Sequence, residues 1–192
     1  RVAEAVAKVN AQTGGRTRYA PNVSAPHDQM PQRARFAREN GAGGLLVAPG
    51  LVGFDAMRRL ADDDDIGLPV LGHPALLGSF VTSPQQGIAH GALFGQLFRL
   101  AGADATIFPH HGGRFSFSTL ECQALVAGSE VAMSGIAPIF PVPAGGMALD
   151  RVDEIAAFYG RDVMLLIGGN LHRHPDGLEA ACRAFRSLAE SV

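Results

Sequence analysis

Between Thr17 and Asn170 the chain repeats one pattern six times: a short apolar run, a cluster of Gly, Pro, His or Asn, then a stretch of helical spacing. The runs are Arg18–Asn22, Gly44–Gly50, Leu68–Pro74, Ala105–His111, Ile139–Gly146 and Met164–Asn170. Strands that are apolar along their length suit a parallel sheet buried under helices. With a helix after each strand, the polar C-terminal tips all fall on one side of the sheet, where parallel α/β proteins place their chemistry. The chain opens in a helical stretch, with neither Met nor strand before it.

The helical stretches follow from spacing and stop signals. Val2–Gln12 carries apolar residues at helical spacing and ends at Gly14–Gly15. Met30–Asn40, Phe54–Ala61, Gly91–Ala101, Thr119–Met133, Asp150–Phe158 and Leu178–Ala189 complete the set. Gly91–Ala101 is apolar nearly all round, which predicts a buried helix. The acidic run Asp62–Asp65 reads as a solvated helix end, and Arg183 and Arg186 as the wet face of the last helix. No linker divides the chain, so one domain is expected.

A closed (β/α)8 barrel needs about 250 residues, and this chain has 192. Six strands with a helix in front predict a TIM barrel of which strands three to eight are present, in preference to an open sheet. The chain is 47% hydrophobic, enough for one sizeable core. Its net charge of −2 gives no electrostatic case for nucleic acid or an anionic membrane. No apolar run approaches the roughly 20 residues of a bilayer span, and no signal peptide is visible. Cys122 and Cys182 lie in helical contexts without metal or redox spacing. Both read as buried thiols of a reducing compartment, which predicts a cytoplasmic location.

Several tips carry chemistry. His73 ends an apolar strand and precedes Pro74; a neutral imidazole there could move protons near neutral pH, or could be a core histidine making one hydrogen bond. Gly145–Gly146 and Gly168–Gly169 let backbone N–H groups approach an anion closely, at the corner where barrels hold phosphate, or are simply tight turns feeding helices. Arg114 sits on a glycine-flanked loop and offers a planar fork for carboxylate or phosphate. His110 and His111 are adjacent, so their rings point different ways in a strand, which argues against a shared metal. His172 and His174 read as the outer edge of a loop.

In order along the chain, these tips resemble one family. His73-Pro-Ala-Leu-Leu-Gly, Thr82-Ser-Pro-Gln-Gln-Gly-Ile and Leu97-Phe-Arg-Leu-Ala-Gly-Ala-Asp-Ala-Thr-Ile-Phe-Pro resemble the fifth strand, its helix and the sixth strand of RuBisCO-like proteins, the form IV branch of the RuBisCO large-chain family. Pro141-Val-Pro-Ala-Gly-Gly-Met is similar to the seventh-strand tip, Gly168-Gly-Asn-Leu-His-Arg-His-Pro-Asp-Gly to the eighth and its loop, and Tyr19-Ala-Pro-Asn-Val-Ser-Ala to the third. The resemblance implies that residues 1–192 are the C-terminal three-quarters of a RuBisCO-type barrel domain. The N-terminal domain and first two strands would lie upstream of Arg1.

The resemblance also implies roles. His73 takes the place of the strand-five catalytic histidine that transfers protons during enolisation. Counted from Asp104, Arg114 takes the place of a mobile-loop lysine, and the four glycines that of a phosphate site. The family's Mg2+ is held by a carbamylated lysine and acids on the second strand. Lys8 is the only lysine here and lies in the opening helix, so those ligands are expected upstream. Pro74, Ile107 and Ala144 stand where carboxylases have an arginine, a histidine and a serine for a second phosphate. Their loss weakens the grip on a bisphosphate, so CO2 fixation is not expected.

The resulting expectation is enolate chemistry on a phosphorylated keto-sugar or 3-oxo sugar acid, with decarboxylation or C–C cleavage preferred because of Arg114. The alternatives are an enolase or isomerase of methylthioribose-phosphate salvage and a degenerate, non-catalytic barrel. A homodimer or higher homo-oligomer is implied by the family.

Overall fold

A computed structural model of the chain describes residues 1–83, 85–113 and 117–191. Four apolar runs form a parallel sheet in the order β1 (Leu45–Val47), β2 (Val70–Gly72), β3 (Ala105–Pro109) and β4 (Phe140–Ala144). Asp104 ties the N-terminal ends of three strands together. Its N–H donates to the Val70 carbonyl at 2.8 Å, its carboxylate accepts from the Val70 N–H at 2.7 Å, and its carbonyl accepts from the Phe140 N–H at 3.0 Å.

The two outer runs lie beside this sheet without extending its ladder. Residues 18–22 contribute one parallel bridge, Asn22 to Leu46, and the Leu46 N–H donates to the Pro21 carbonyl at 2.9 Å. Pro21 has no N–H to return. The run from Met164 donates once, to the Pro141 carbonyl at 3.0 Å. In β4 the residues facing β3 are Phe140, Val142 and Ala144, so those facing the outer run are Pro141 and Pro143. Two prolines in those places remove every second donor a ladder would use. Six strands were expected; four form, and proline chemistry accounts for both differences.

The helices are α1 (Val2–Thr13), α2 (Met30–Glu39), α3 (Pro49–Val52), α4 (Phe54–Ala61), α5 (Phe98–Leu100), α6 (Thr119–Glu130), α7 (Val152–Tyr159) and α8 (Gly177–Ser191); α1 buries no residue, and the others cover one face. Val47, Val70 and Phe108 of the strands meet Met57, Leu60, Phe94, Phe98, Leu125 and Ile155 of this layer in one core. Each fully buried side chain of this size contributes about 1.5–3 kcal/mol. The other face carries a smaller cluster of strand residues, Ala105, Ile107 and Val142 with Leu46, Leu71 and Ala144.

The stretch expected as a buried helix from Gly91 is π-helical over Gly91–Leu97 before it runs into α5. It packs on α6 at backbone distance: an ideal Cβ on Gly95 would lie 2.5 Å from the Gly128 carbonyl carbon. Arg99, just beyond, is 3% exposed. Its guanidinium donates to the carbonyls of Gly128, Val131, Ile136 and Ala137 at 2.6–3.3 Å, closing the C-terminal end of α6. Cys122 is buried as expected, but Cys182 is exposed, because α8 presents it on the side away from buried Ala181. Arg183 and Arg186 pair with Glu179 and Glu190 on that wet surface. Among the described residues no helix is long and apolar enough to cross a membrane.

Candidate active site

The C-terminal ends of β2, β3 and β4 lie side by side, and with them the loops expected to carry chemistry. His73 follows β2 directly, and its N–H donates to the Val47 carbonyl at 2.7 Å. Alternation along the strand puts it on the same face as Leu71, the face without helices. Its Nδ1 accepts from the Ala75 N–H at 3.1 Å across Pro74. A neutral ring with Nδ1 engaged as acceptor carries its proton on Nε2. Partial burial holds His73 below its usual pKa, which favours this neutral form. The tip therefore presents an imidazole N–H donor rather than a free lone pair.

The β4 tip turns through Gly145 and Gly146, both at positive φ (84° and 92°). Only glycine adopts two such steps without strain. Beyond the outer run, Gly168 and Gly169 face open space. Among the described residues none of the four glycine amides donates a hydrogen bond. The two pairs are joined by Asn170, whose side-chain amide donates to the Met147 carbonyl. Arg173 in turn donates to the Asn170 carboxamide oxygen. Unpartnered amides at a positive-φ turn form a concavity suited to an anion.

Between these tips runs the loop after β3. The Gly113 N–H closes a turn on the His110 carbonyl at 3.3 Å, and an ideal Cβ on Gly113 would lie 1.9 Å from the Gly145 carbonyl oxygen. Arg151 lies over Gly112 and is paired bidentately with Glu154 at 2.8 and 3.0 Å. At its far end the loop is pinned by Phe117, whose ring meets His90 edge-on at 4.4 Å. Ser118 and Glu121 then form a capping box that starts α6. Arg114, expected to clamp substrate, lies outside the described residues.

His110 departs from a simple tip residue. It lies on the helix-covered side with Phe108, fully buried, its Nδ1 3.2 Å from the Tyr159 hydroxyl. Burial first, then the charges of His111 and Arg151 against that of Glu154, hold its pKa down to about 4. Burial likewise pushes the Tyr159 hydroxyl and the Cys122 thiol up. Sequence reasoning missed Tyr159 and Asn170: their partners lie 49 and 23 residues away, beyond any local spacing. His172 is exposed at the loop edge, as expected.

Among the described residues no group of three or more His, Cys, Asp or Glu could hold a metal ion. The described residues therefore do not themselves fit a Mg2+ site, and the expected ligands are not among them.

A parallel sheet covered by helices, with a histidine after β2, one glycine turn after β4 and a second glycine pair beyond the outer run, defines an α/β protein with its polar residues gathered at the strand tips. The chain is 44% identical over 170 residues to ribulose bisphosphate carboxylase-like protein 1 of Rhodopseudomonas palustris, covering 88% of this chain and 44% of that protein. It is 44% identical over 184 residues to 5-methylthioribulose-1-phosphate isomerase of Rhodospirillum rubrum, covering 96% of this chain and 47% of that one. To 2,3-diketo-5-methylthiopentyl-1-phosphate enolase of Bacillus pumilus it is 35% identical, over 94% of this chain and 44% of the enzyme. A rubisco-like protein of Alicyclobacillus acidocaldarius superposes with a TM-score of 0.90 at 36% identity, covering 98% of this chain and 48% of that chain. The dimeric archaeal Rubisco of Hyperthermus butylicus superposes at 0.88 with 26% identity, over 99% of this chain and 47% of that chain. No family model matches. The chain belongs to the RuBisCO-like proteins. It spans about half the length of the curated relatives it matches.

Proposed function

We propose that the protein catalyses enolisation of a methylthio-ketopentose phosphate, as an isomerase or enolase, within a RuBisCO-type barrel whose third to eighth strand positions are filled by the six apolar runs of residues 1–192. The observation that carries this reading is the contrast between its strand tips. The glycine turns after β4 and at Gly168–Gly169 offer amides for one phosphate. Where a second phosphate would bind, Ile107 and Ala144 belong to an apolar cluster with Leu46 and Leu71. An anion there would lose its hydration without gaining donors, whereas an uncharged methylthio end loses nothing. The relatives named as isomerase and enolase support the same choice. The 3-oxo sugar-acid reading gives way to this alternative.

In the proposed reaction a general base on the part of the barrel outside residues 1–192 takes the proton from the carbon next to the substrate carbonyl. The C–H pair becomes the C=C bond, the carbonyl π pair moves onto oxygen, and the same base returns the proton at a neighbouring carbon as the carbonyl re-forms. The Nε2–H of His73 donates to that oxygen as charge develops. A neutral imidazole suits this role because it is preorganised and needs no proton from solvent. The Gly145–Gly146 and Gly168–Gly169 amides hold the phosphate and so fix the reacting carbons against His73. Arg114 adds a cation from the loop after β3. A homodimer or higher homo-oligomer is part of the proposal, in keeping with the dimeric archaeal neighbour.

The test offers the intact protein 5-methylthioribulose 1-phosphate, 2,3-diketo-5-methylthiopentyl 1-phosphate and a 3-oxo sugar-acid phosphate in deuterated water. Deuterium entry at carbon in a methylthio substrate, followed by NMR, is expected. Carbon dioxide release from the sugar acid alone would overturn the reading.

A further inference from the structure

His110 has three polar handles: two join it to the unit built on β4, and the third closes the loop after β3 on itself. Its N–H donates to the carbonyl of Ala144, the residue before the glycine turn, at 2.8 Å. Its carbonyl accepts the Gly113 N–H at 3.3 Å. Its Nδ1 lies 3.2 Å from the hydroxyl of Tyr159, on the helix that follows β4. The Tyr159 ring is itself fixed by edge contact with Phe108 at 5.9 Å and with Phe158 at 4.6 Å. Because His110 is fully buried on the helix side, it does not reach the face where His73 lies.

From these contacts we infer that His110 is a positioning residue for phosphate: anchored by Tyr159, it seats the Gly112–Gly113 turn against Gly145 and so sets where the Gly145–Gly146 amides meet an anion. The inference rests on the phosphate reading of that turn proposed above. Gly113 has no slack in this arrangement, since its Cα already approaches the Gly145 carbonyl at a distance that excludes a side chain. A shift of the His110 backbone is thus passed to Gly145 by two routes, through Ala144 and through Gly113. Among the described residues, the hydroxyl of Tyr159 makes the one side-chain bond that holds His110 against such a shift.

The test measures inorganic phosphate binding to the intact protein by calorimetry, with melting temperature recorded for each variant. Tyr159→Phe and His110→Phe keep the rings and remove the bond. Each is expected to weaken phosphate binding about fivefold, the size of one net hydrogen bond. The double variant is expected to be no weaker than either single one, because both remove the same link. His110→Asn, which keeps an acceptor near the place of Nδ1, is expected to restore affinity to within about twofold of the unmodified protein on the same scale. If His110→Phe fails to fold, Tyr159→Phe and His110→Asn still decide. Unchanged affinity in Tyr159→Phe, or additive losses in the double variant, would overturn the inference alone. Absence of phosphate binding by the unmodified protein would remove the phosphate reading and this inference with it.

Discussion

The carbonyl oxygen of Gly145 occupies the space that a side chain on Gly113 would need, 1.9 Å from an ideal Cβ. Two loops that follow different strands are thereby in backbone contact at the centre of the candidate site. Gly113→Ala forces them apart. On the proposed function, the expected result is a rise in KM for the methylthio-ketopentose phosphate of about tenfold, equivalent to about 1.4 kcal/mol, with a smaller change in kcat. Steady-state kinetics on the intact enzyme check it, and an unchanged KM would show that the two loops do not share the phosphate.

His73→Asn retains an N–H donor but not an imidazole. If the ring moves protons as well as donating a hydrogen bond, kcat falls by about 100-fold or more while KM stays near its original value. Burial lowers the His73 pKa, so the neutral ring persists below the ordinary value of 6.5. The acid limb of the kcat/KM profile is accordingly expected below pH 6.5. A limb centred at or above that value would contradict the assignment.

His110 should also leave a signature in stability. Its folded-state pKa of about 4 lies below the ordinary 6.5, so in that interval the unfolded chain binds a proton that the native chain does not. Stability is then fully present above pH 6.5 and falls as the pH drops toward 4. Measured down to about pH 5, above the usual carboxylate range, urea midpoints should decline less steeply in His110→Phe than in the unmodified protein. Parallel declines would remove His110 as the cause.

Arg99 is a buried cation with four carbonyl partners: Gly128, Val131, Ile136 and Ala137. Arg99→Ala strands those acceptors and opens a cavity beside the π-helical stretch. A loss of about 3 kcal/mol or more is expected from chemical denaturation. Arg99→Lys should recover only part of it, because one ammonium cannot reach a fan of acceptors spread over a helix end and a loop. Full recovery would show that charge alone suffices.

The layout of the sheet could be read from six apolar runs, and the helix bounds from apolar spacing and glycine stop signals; Phe54–Ala61 matches residue for residue. The outer two strands could not be read that way. A run such as Met164–Ile167 is apolar enough for a strand, yet its pairing depends on donors that Pro141 and Pro143 in its neighbour cannot supply. The π-helical turn at Gly91 was hidden for a similar reason, since the approach of Gly128 that accompanies it lies some 37 residues further on. Within the site, the glycines and His73 announced themselves by local sequence. The His110–Tyr159 and Asn170–Met147 links did not, because each pairs residues that meet only once the strands have been laid side by side.

The prolines of β4 have one further consequence. Among the described residues the run is held by one bond to the Pro141 carbonyl, by the Asn170 carboxamide on the Met147 carbonyl and by Val163, Leu165 and Ile167 packed on the core, not by a ladder. The span between the two glycine pairs is therefore set by an adjustable strut rather than by a lattice of bonds. On the phosphate reading proposed above, exchanging Asn170 for the longer Gln would widen the jaw without unpicking the sheet, and would retune which phosphate ester it grips.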